Sequence, residues 1–444
     1  MRKTISVVGL GKLGLCLSAC FAERGFETLG VDVEERVVSS VNKGLSPIEE
    51  PGLQELVGRL GGHRLRATLQ HREAIEETDI TIILVSTPSN VDGSFSNRHI
   101  EAALRSLCVF FRESKKYHLF VISSTVMPHS TQEIFIPLIE KHSGKKLNQD
   151  FGVCYDPDFV ALGEVIKGFL QPEIVVIGES NTEAGERLET LHHQMCLNEP
   201  YIARMSLISA EIAKVCLNTY ITTKISFANT IANICEQIPN ADVDAITQAI
   251  GHDKRISPYY FQGGLSFGGT CFPRDTRAFI KMAERHNIDA GIIYAVDRVN
   301  KFQDEHLARV VLDEMSRLEG KTVGILGLAF KPGTPVITES PAIKLIQELL
   351  KNDLRIVAYD PLAIPTTRAV FSDEIEYVTS AQECLTQSDI CVLTYRSEEF
   401  RQVIEQYEHT KAISIVDGWR MIDAGKLAKH VHYIPLGRMY ANNP

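Results

Sequence analysis

From residue 4 onward, short β-branched apolar runs alternate with stretches in which apolar residues recur every three to four positions. The runs at 5–8, 28–32, 80–86, 120–124 and 174–177 have the length and continuity of strands covered on both faces. That alternation predicts a doubly wound parallel α/β sheet. A second alternation begins at Lys321, with strand-like runs at 323–326, 355–359, 390–394 and 413–416, and predicts a second α/β domain. Between them, residues 201–317 carry no convincing strand pattern and read as helical. The first helix of this stretch is expected over about 206–237, roughly 45 Å long at 1.5 Å per residue. Helices of that length bridge domains or subunits. The expected organisation is therefore an α/β domain over 1–200, a helical connector over 201–317 and a second α/β domain over 318–444.

Composition excludes several classes of function. At 44% apolar and 23% charged, the 444-residue chain has globular rather than disordered character. No apolar run approaches the roughly 18 residues of a membrane span. Arg2 and Lys3 precede an apolar patch, but Lys12 interrupts it, so the expectation is a cytoplasmic protein without a secretory leader. The net charge is −10 and no long basic run is present, which argues against nucleic acid as a partner. Ten cysteines lie without a CxxC pair, so most are expected to be reduced and buried. Fourteen histidines, including His192 and His193, show no ligand pair at metal spacing, and no metal site is expected.

Three constellations carry candidate chemistry. Gly9, Gly11 and Gly14 follow the first strand and open a helix, and Asp32 ends the next strand. The glycines permit a tight turn, close approach of backbone to a pyrophosphate and close helix packing, with the phosphates at the helix N-terminus. Asp32 would accept from the ribose hydroxyls and repel a 2′-phosphate, which favours NAD over NADP. The second constellation is Cys271, preceded by Gly263, Gly264, Gly268 and Gly269 and followed by Arg274 and Asp275. Such glycines are expected to let backbone approach a ligand, and nearby positive charge raises the thiolate fraction of a nucleophile. The third is a polar stripe on the long helix. Glu211, Lys214, Asn218 and Thr222 fall within about 80° on a helical wheel, continued by Asn229, Asn233 and Glu236. Ile212, Val215, Leu217, Ile221, Phe227, Ile231 and Ile234 take most of the remaining circumference, so the helix is expected to be largely buried. The stripe is either a polar seam between subunits or a set of donors, Lys214 and Asn218, facing a reacting oxygen. Weaker candidates are Ser123, Ser124 and Thr125 after a strand, Asp156 and Asp158 in a loop after another short strand, and Lys331 after the run that opens the last domain.

Taken together, SFGGTCFPRD at 266–275, EIAKVCLNTYITTKISFANTIANICE at 211–236 and VGILGLAFKPGT at 323–334 resemble the motifs of the UDP-glucose/GDP-mannose dehydrogenase family, over residues 4–420. The resemblance implies two Rossmann-like domains joined by a helical connector, the first binding NAD and the last the nucleotide sugar. It implies a four-electron oxidation at C6 of a nucleotide sugar to the uronic acid, with two NAD reduced. In that reading Cys271 attacks the C6 aldehyde and carries a thiohemiacetal and then a thioester. Lys214 and Asn218 steady the oxyanion, Asp275 assists proton transfer, and Thr125 and Asp158 flank the attacking water. Gly9, Gly11, Lys12, Leu13, Gly14, Asp32, Thr87, Pro88, Ser124, Thr125 and Arg274 would hold NAD. Phe159, Lys214, Asn218, Arg255, Tyr260, Gly264, Phe330 and Lys331 would hold the substrate, with Arg255 reaching a neighbouring subunit, so at least a homodimer is implied.

Three departures from the family pattern bear on this. The PEF motif reads Pro157-Asp158-Phe159, shortening the carboxylate by one methylene; the lysine of PKD is Arg274; and an arginine expected near the nucleotide is Thr338. A slip of about 1 Å costs roughly 10²-fold in rate. Two alternatives therefore stand beside the four-electron reading: a two-electron oxidation or epimerisation of the same substrate class, and a non-catalytic protein that binds NAD and a nucleotide sugar.

Overall fold

A computed structural model describes residues 4–409 and 411–439. The chain forms two compact units, Met1–Leu217 and Asn218–Pro444. The first is built on an eight-stranded sheet: β1 Thr4–Val8, β2 Glu27–Val31, β3 Leu65–Thr68, β4 Ile80–Ile83, β5 His118–Ile122, β6 Phe151–Tyr155, β7 Ile174–Glu179 and β8 Tyr201–Ser206. Their order is β3-β2-β1-β4-β5-β6-β7-β8. Side chains alternate between faces along each strand. Ile5 and Val7 therefore join Leu15, Leu119 and Val121 in one core, while Val8, Ile83, Phe120 and Ile122 join Leu104, Phe111 and Ile139 in another.

The expectation of a wholly parallel sheet needs correction. β6 and β7 pair antiparallel, through Cys154 with Glu179 and Tyr155 with Gly178. After β6 the chain does not cross back under the sheet. Because β6 runs parallel to β5, β4 and β1, the Asp156–Asp158 loop lies on the same edge as the loops after those strands. The expectation of no strand between residues 201 and 317 also fails, because Tyr201–Ser206 is β8, paired parallel with β7. It escapes the hydrophobic pattern because it is an edge strand, half-buried along its length, whose Arg204 pairs with Glu179 and Glu189.

The second unit has a wholly parallel sheet, with β9 Thr322–Leu326, β10 Arg355–Tyr359, β11 Glu376–Tyr377, β12 Ile390–Leu393, β13 Ile413–Asp417 and β14 Val431–Pro435 in the order β11-β10-β9-β12-β13-β14. In both sheets the order reverses beside the first strand, at β1/β4 and at β9/β12. Ligands of open α/β sheets bind at such a switch point, outside the carboxyl ends of the strands. The long helix spans Leu207–Cys235, two residues shorter than expected at its C-terminal end. A second long helix, Gly291–Leu318, lays Leu307, Val310, Val311 and Met315 on the core of the second sheet.

Glu314 ties that helix to β13 and β14. Its carboxylate accepts from Ser414, from His432 Nδ1 at 2.8 Å and from Arg317. Burial pushes this carboxyl up, but the donors from Arg317, Ser414 and His432 outweigh it and hold the group down at about 2. A depressed carboxyl contributes stability that is present above its ordinary value near 4.5 and is lost as pH falls towards 2. Glu314→Gln is expected to lower the stability of the second unit by about 1–3 kcal/mol at pH 7. It should also flatten the loss of stability between pH 4.5 and 2. Urea unfolding followed by the fluorescence of Trp419, the chain's single tryptophan, measures both.

Candidate active site

The first unit presents a dinucleotide cradle at the carboxyl ends of β1 and β4. Gly9 has φ +97°, and a Cβ there would lie 2.5 Å from the Leu84 carbonyl oxygen. A Cβ on Gly14 would lie 1.8 Å from the Gly9 oxygen, so that position allows the helix Gly14–Glu23 to start directly against the turn. Gly11 differs, because a Cβ there would meet nothing within 4 Å. It borders open space in front of the helix N-terminus, where backbone N–H groups and the helix dipole favour phosphate. Lys12 is exposed beside it and Leu13 is half-buried at the N-cap position. Asp32 fixes the turn by accepting from Leu10 N at 2.7 Å through Oδ2, and it accepts from Glu34 N at 2.9 Å through Oδ1. A carboxylate offers about four acceptor sites, which leaves room for two ribose hydroxyls. Across the switch point, the Ser124 hydroxyl donates to the Val85 carbonyl at 2.7 Å and accepts from Val85 N at 2.9 Å, stitching the loop after β4 to that after β5. Thr87 and Thr125 are buried in these loops and Pro88 is half-buried. These residues fit NAD.

The second unit repeats the turn but closes it. Gly327 also has φ +97°, and Asp360 stands after β10 as Asp32 stands after β2. Asp360 is buried and receives Leu328 N at 2.7 Å, Ala329 N at 3.1 Å, Leu362 N at 2.8 Å, Ala363 N at 2.7 Å and the Tyr395 hydroxyl at 3.0 Å. With five donors it has no capacity left for a ribose. Ala329 and Pro332 stand where the later glycines of a dinucleotide turn would be.

Beside the cradle, the polar stripe of the long helix resolves into separate duties. Glu211 is fully buried and caps the turn after β5, accepting from His129 N at 2.7 Å and Thr131 N at 2.8 Å. Lys214 donates to the backbone carbonyl of Asp158 and holds its ammonium 5.0 Å from the centre of the Phe159 ring. Although the Asp158 side chain reaches the surface in part, burial pushes its carboxyl up; the Lys214 charge opposes this and the Asp156 charge adds to it.

In the second unit Cys271 stands at the N-cap of the helix Phe272–Arg285. It is the one exposed cysteine of the ten; burial holds the thiols of Cys16, Cys20, Cys108, Cys154 and Cys216 above the ordinary range. Asp275 N closes the first helical turn on the Cys271 carbonyl at 2.8 Å. The Asp275 carboxylate has no solvent exposure and accepts from Asn218 Nδ2 at 2.6 Å and Arg274 Nε at 3.1 Å. Arg274 is thus tied to Asp275 rather than standing free beside the thiol. The glycines before Cys271 do not open backbone to a ligand as expected. A Cβ on Gly268 would meet the Glu339 carbonyl oxygen at 2.3 Å, one on Gly269 the Phe330 ring at 2.6 Å, and one on Gly264 the Trp419 ring at 2.8 Å. They are needed for the loop's close packing on its own unit.

The remaining expected residues lie in the same unit. Arg255 is exposed and paired with Asp253 at 2.6 Å. Tyr260, at φ +58°, sets its ring edge-on to Phe272, 6.0 Å between centres. Lys331 lies 5.9 Å from the centre of the Phe330 ring. Thr222, Asn229, Asn233 and Glu236 are engaged within the chain, with Thr219 O, Leu265 O and Gly264 N, Gln303, and His306 and Gly437 N respectively. A seam between subunits is therefore not needed to satisfy Thr222, Asn229 or Glu236, whereas the buried Asn233 Oδ1 has no partner among the described residues. The apolar circumference is not buried as expected: Tyr220, Phe227 and Ile234 are 62%, 58% and 52% exposed.

Two contributors were not visible in the sequence. Lys224 donates to the carbonyls of Ile256, Ser257 and Tyr259 at 3.1, 3.0 and 2.6 Å, holding the segment that carries Arg255 and Tyr260. His192 pairs with Asp156 at 3.0 Å. Neither has a sequence neighbour that marks it; only the fold supplies the partners. The arrangement offers an exposed sulfur with a buried acid–amide pair in one unit, and a dinucleotide cradle with a lysine–carboxyl cluster in the other. Among the described residues no cluster of potential ligands could hold a metal ion, and no helix is long and apolar enough to cross a membrane.

Family models for the UDP-glucose/GDP-mannose dehydrogenase family match three consecutive segments: its NAD binding domain at residues 3–196, its central domain at 208–302 and its UDP binding domain at 324–424. The chain is 36% identical over 420 residues to UDP-glucose 6-dehydrogenase AglM of Haloferax volcanii, covering 94% of this chain and 97% of that protein. It is 33% identical over 415 residues to the GDP-mannose 6-dehydrogenase of Pseudomonas putida, covering 90% and 93%. Its structure resembles that of a UDP-glucose dehydrogenase from Pyrobaculum islandicum, with TM-score 0.88, 32% identity and 98% of each chain covered.

The unequal filling of the two carboxylates gives a paired expectation. Asp32→Ala should weaken NAD by about tenfold or more and narrow the preference over NADP, since charge-assisted hydrogen bonds contribute about 1.5–3 kcal/mol. Asp360→Ala strands four backbone donors and should destabilise the second unit by about 3 kcal/mol or more with NAD affinity unchanged. Calorimetric titration of each cofactor, with Trp419-monitored unfolding, separates the two.

Proposed function

Since the chain belongs to the UDP-glucose/GDP-mannose dehydrogenase family, we propose that it oxidises the C6 hydroxyl of a UDP-glucose-like nucleotide sugar to the uronic acid in two successive two-electron steps. NAD, when bound, accepts one hydride in each step. Cys271 acts between them. Its sulfur forms a C–S bond with the C6 aldehyde, the carbonyl oxygen takes a proton, and a thiohemiacetal results. Loss of the second hydride from C6 and of the hydroxyl proton leaves a thioester; water attacks its carbonyl carbon, the C–S bond breaks, and the acid is released as the sulfur takes a proton from that water. Covalent capture keeps the aldehyde from escaping. The observation that carries this reading is the exposed Cys271 at a helix N-terminus, one turn before a fully buried Asp275 held by Asn218 and Arg274.

Lys214 and Asn218 supply donors for the oxyanion, and Asp275 exchanges the proton. Asp158, with Thr125, serves the attacking water: burial pushes its carboxyl up, the direction that makes a carboxylate a stronger base. Gly9, Gly11, Lys12, Leu13, Gly14, Asp32, Thr87, Pro88, Ser124, Thr125 and Arg274 hold NAD. Phe159, Arg255, Tyr260, Phe330 and Lys331 hold the sugar nucleotide. The working division is an NAD-binding domain over 1–200, a central helical domain over 201–317 and a nucleotide-sugar domain over 318–444, in a cytoplasmic protein.

A second reading, a single oxidation or an epimerisation, is favoured only by the shortened Asp158. Counting NADH formed per sugar separates the readings: two supports the four-electron reaction, one the single oxidation, and none the epimerase. Cys271→Ser should abolish acid formation while leaving NAD binding intact, and normal acid yield from this variant would remove the covalent step. UDP-glucose and GDP-mannose assayed in parallel decide the base.

We place a second copy of the chain against the long helix. Tyr220, Phe227 and Ile234 recur every seven residues along it and are more than half exposed, the spacing of a helix–helix seam. Phe227→Asp is expected to shift the protein from dimer to monomer in sedimentation analysis; an unchanged oligomeric state would place the interface elsewhere.

A further inference from the structure

Asp156 and His192 form a buried ion pair that neither the cradle nor the thiol chemistry uses. Asp156 follows β6, with its backbone pinned on both sides: its N–H donates to the Ile122 carbonyl at 2.8 Å, and its carbonyl accepts from the Ser123 hydroxyl at 2.5 Å. Its Oδ2 meets His192 Nε2 at 3.0 Å, and the two side chains are only 12% and 11% exposed. His192 lies in the last turn of the helix Thr182–Met195, where the helix dipole favours a cation. Pro157, with its fixed φ, is the single link between Asp156 and Asp158. The carboxylate that holds His192 is therefore rigidly placed two residues from the carboxyl assigned to the attacking water.

Two like charges this close disfavour ionisation of one of them, and a counter-ion on either relieves that. We infer that His192 is a positioning residue for thioester hydrolysis: its imidazolium neutralises Asp156 and so lets Asp158 ionise and act as base. This rests on the reading of Asp158 given above. Burial pushes the His192 ring down, but the charge and hydrogen bond of Asp156, with Cys196 beside the ring, outweigh it and hold the imidazolium up to about 10. Asp156 raises the Asp158 carboxyl and Lys214 lowers it. On β6, Cys154 is held protonated by burial, with Asp156 and Glu179 raising it and Arg204 opposing them, so it adds no charge. A raised histidine contributes stability present below its ordinary value of 6.5 and lost only as pH rises through about 10. The pair thus stays charged across the neutral range in which the base must work.

The test is the pH profile of kcat for the full-length protein and for His192→Gln, Asp156→Asn and the double variant. His192→Gln leaves Asp156 uncompensated, and the ratio of kcat at pH 6 to kcat at pH 8 should fall by about threefold or more. Asp156→Asn removes the repulsion, and the ratio should rise. The double variant should return close to the unaltered protein. A purely structural pair would give losses in one direction that add; shifts of the same sign in both single variants, or none, would overturn the inference. Nitrogen-15 spectra of the histidine rings in the unaltered protein give a readout that needs neither turnover nor a folded variant. A protonated His192 at pH 8 supports the pair, and a neutral ring there sinks it. Failure of the broader reading shows separately, as absence of two NADH per sugar in the unaltered protein.

Discussion

A carboxylate can be stripped of water only where donors take water's place, and Asp275 meets that condition one helical turn from Cys271. The group has no exposure, and its two oxygens are satisfied by Asn218 from the long helix and by Arg274 next to it. Because Asp275 N also bonds the Cys271 carbonyl, the thiol is fixed relative to the carboxylate by the first turn of the helix. Loss of Asn218 or Arg274 would leave a buried carboxylate underpaired. Cys271 is thereby set by polar contacts at the helix start rather than by its own packing, and its sulfur remains exposed.

The same economy of acceptors divides labour between two similar sheets. Both reverse strand order beside their first strand and both begin with a glycine at φ +97° followed by an aspartate at the end of the next strand. In the second unit the aspartate is filled by four backbone N–H groups and a tyrosine hydroxyl, so it serves as a structural knot. In the first unit it takes two N–H groups and keeps lone pairs for a ligand. One chemical group performs two tasks according to how many donors the fold supplies.

That distinction also marks what the amino-acid pattern reveals. Interior strands such as β1, β4, β9 and β12 are buried on both faces and read as unbroken apolar runs. β3, β8, β11 and β14, the edges of the two sheets, are half-covered or only two residues long, and their Arg66, Arg204, Glu376 and His432 break the signal. The glycine turn, Asp32, Cys271 and the long helix were legible because local geometry or chemistry demands those residue types. The Asp156–His192 pair and the Lys224 clamp join segments about 30 residues apart, and no local rule calls for them. The glycines before Cys271 signalled close approach correctly but not what approaches, because a Cβ meets protein there, not open space.

The packing of that loop also explains how Thr338 can stand where the family pattern has an arginine without disturbing Cys271. Gly269 N donates to the Thr338 carbonyl at 2.9 Å, and Gly268 lies against the Glu339 carbonyl. Glu339 in turn, at φ +52°, is held by Arg277 and Lys344 at 3.1 Å each. The support that segment gives to the Cys271 loop comes from main-chain atoms and from Glu339, and the side chain at 338 takes no part in it. Position 338 can therefore change while the geometry around the sulfur is preserved, whereas a change at Glu339 would remove the hold of Arg277 and Lys344 on the segment that supports the Cys271 loop.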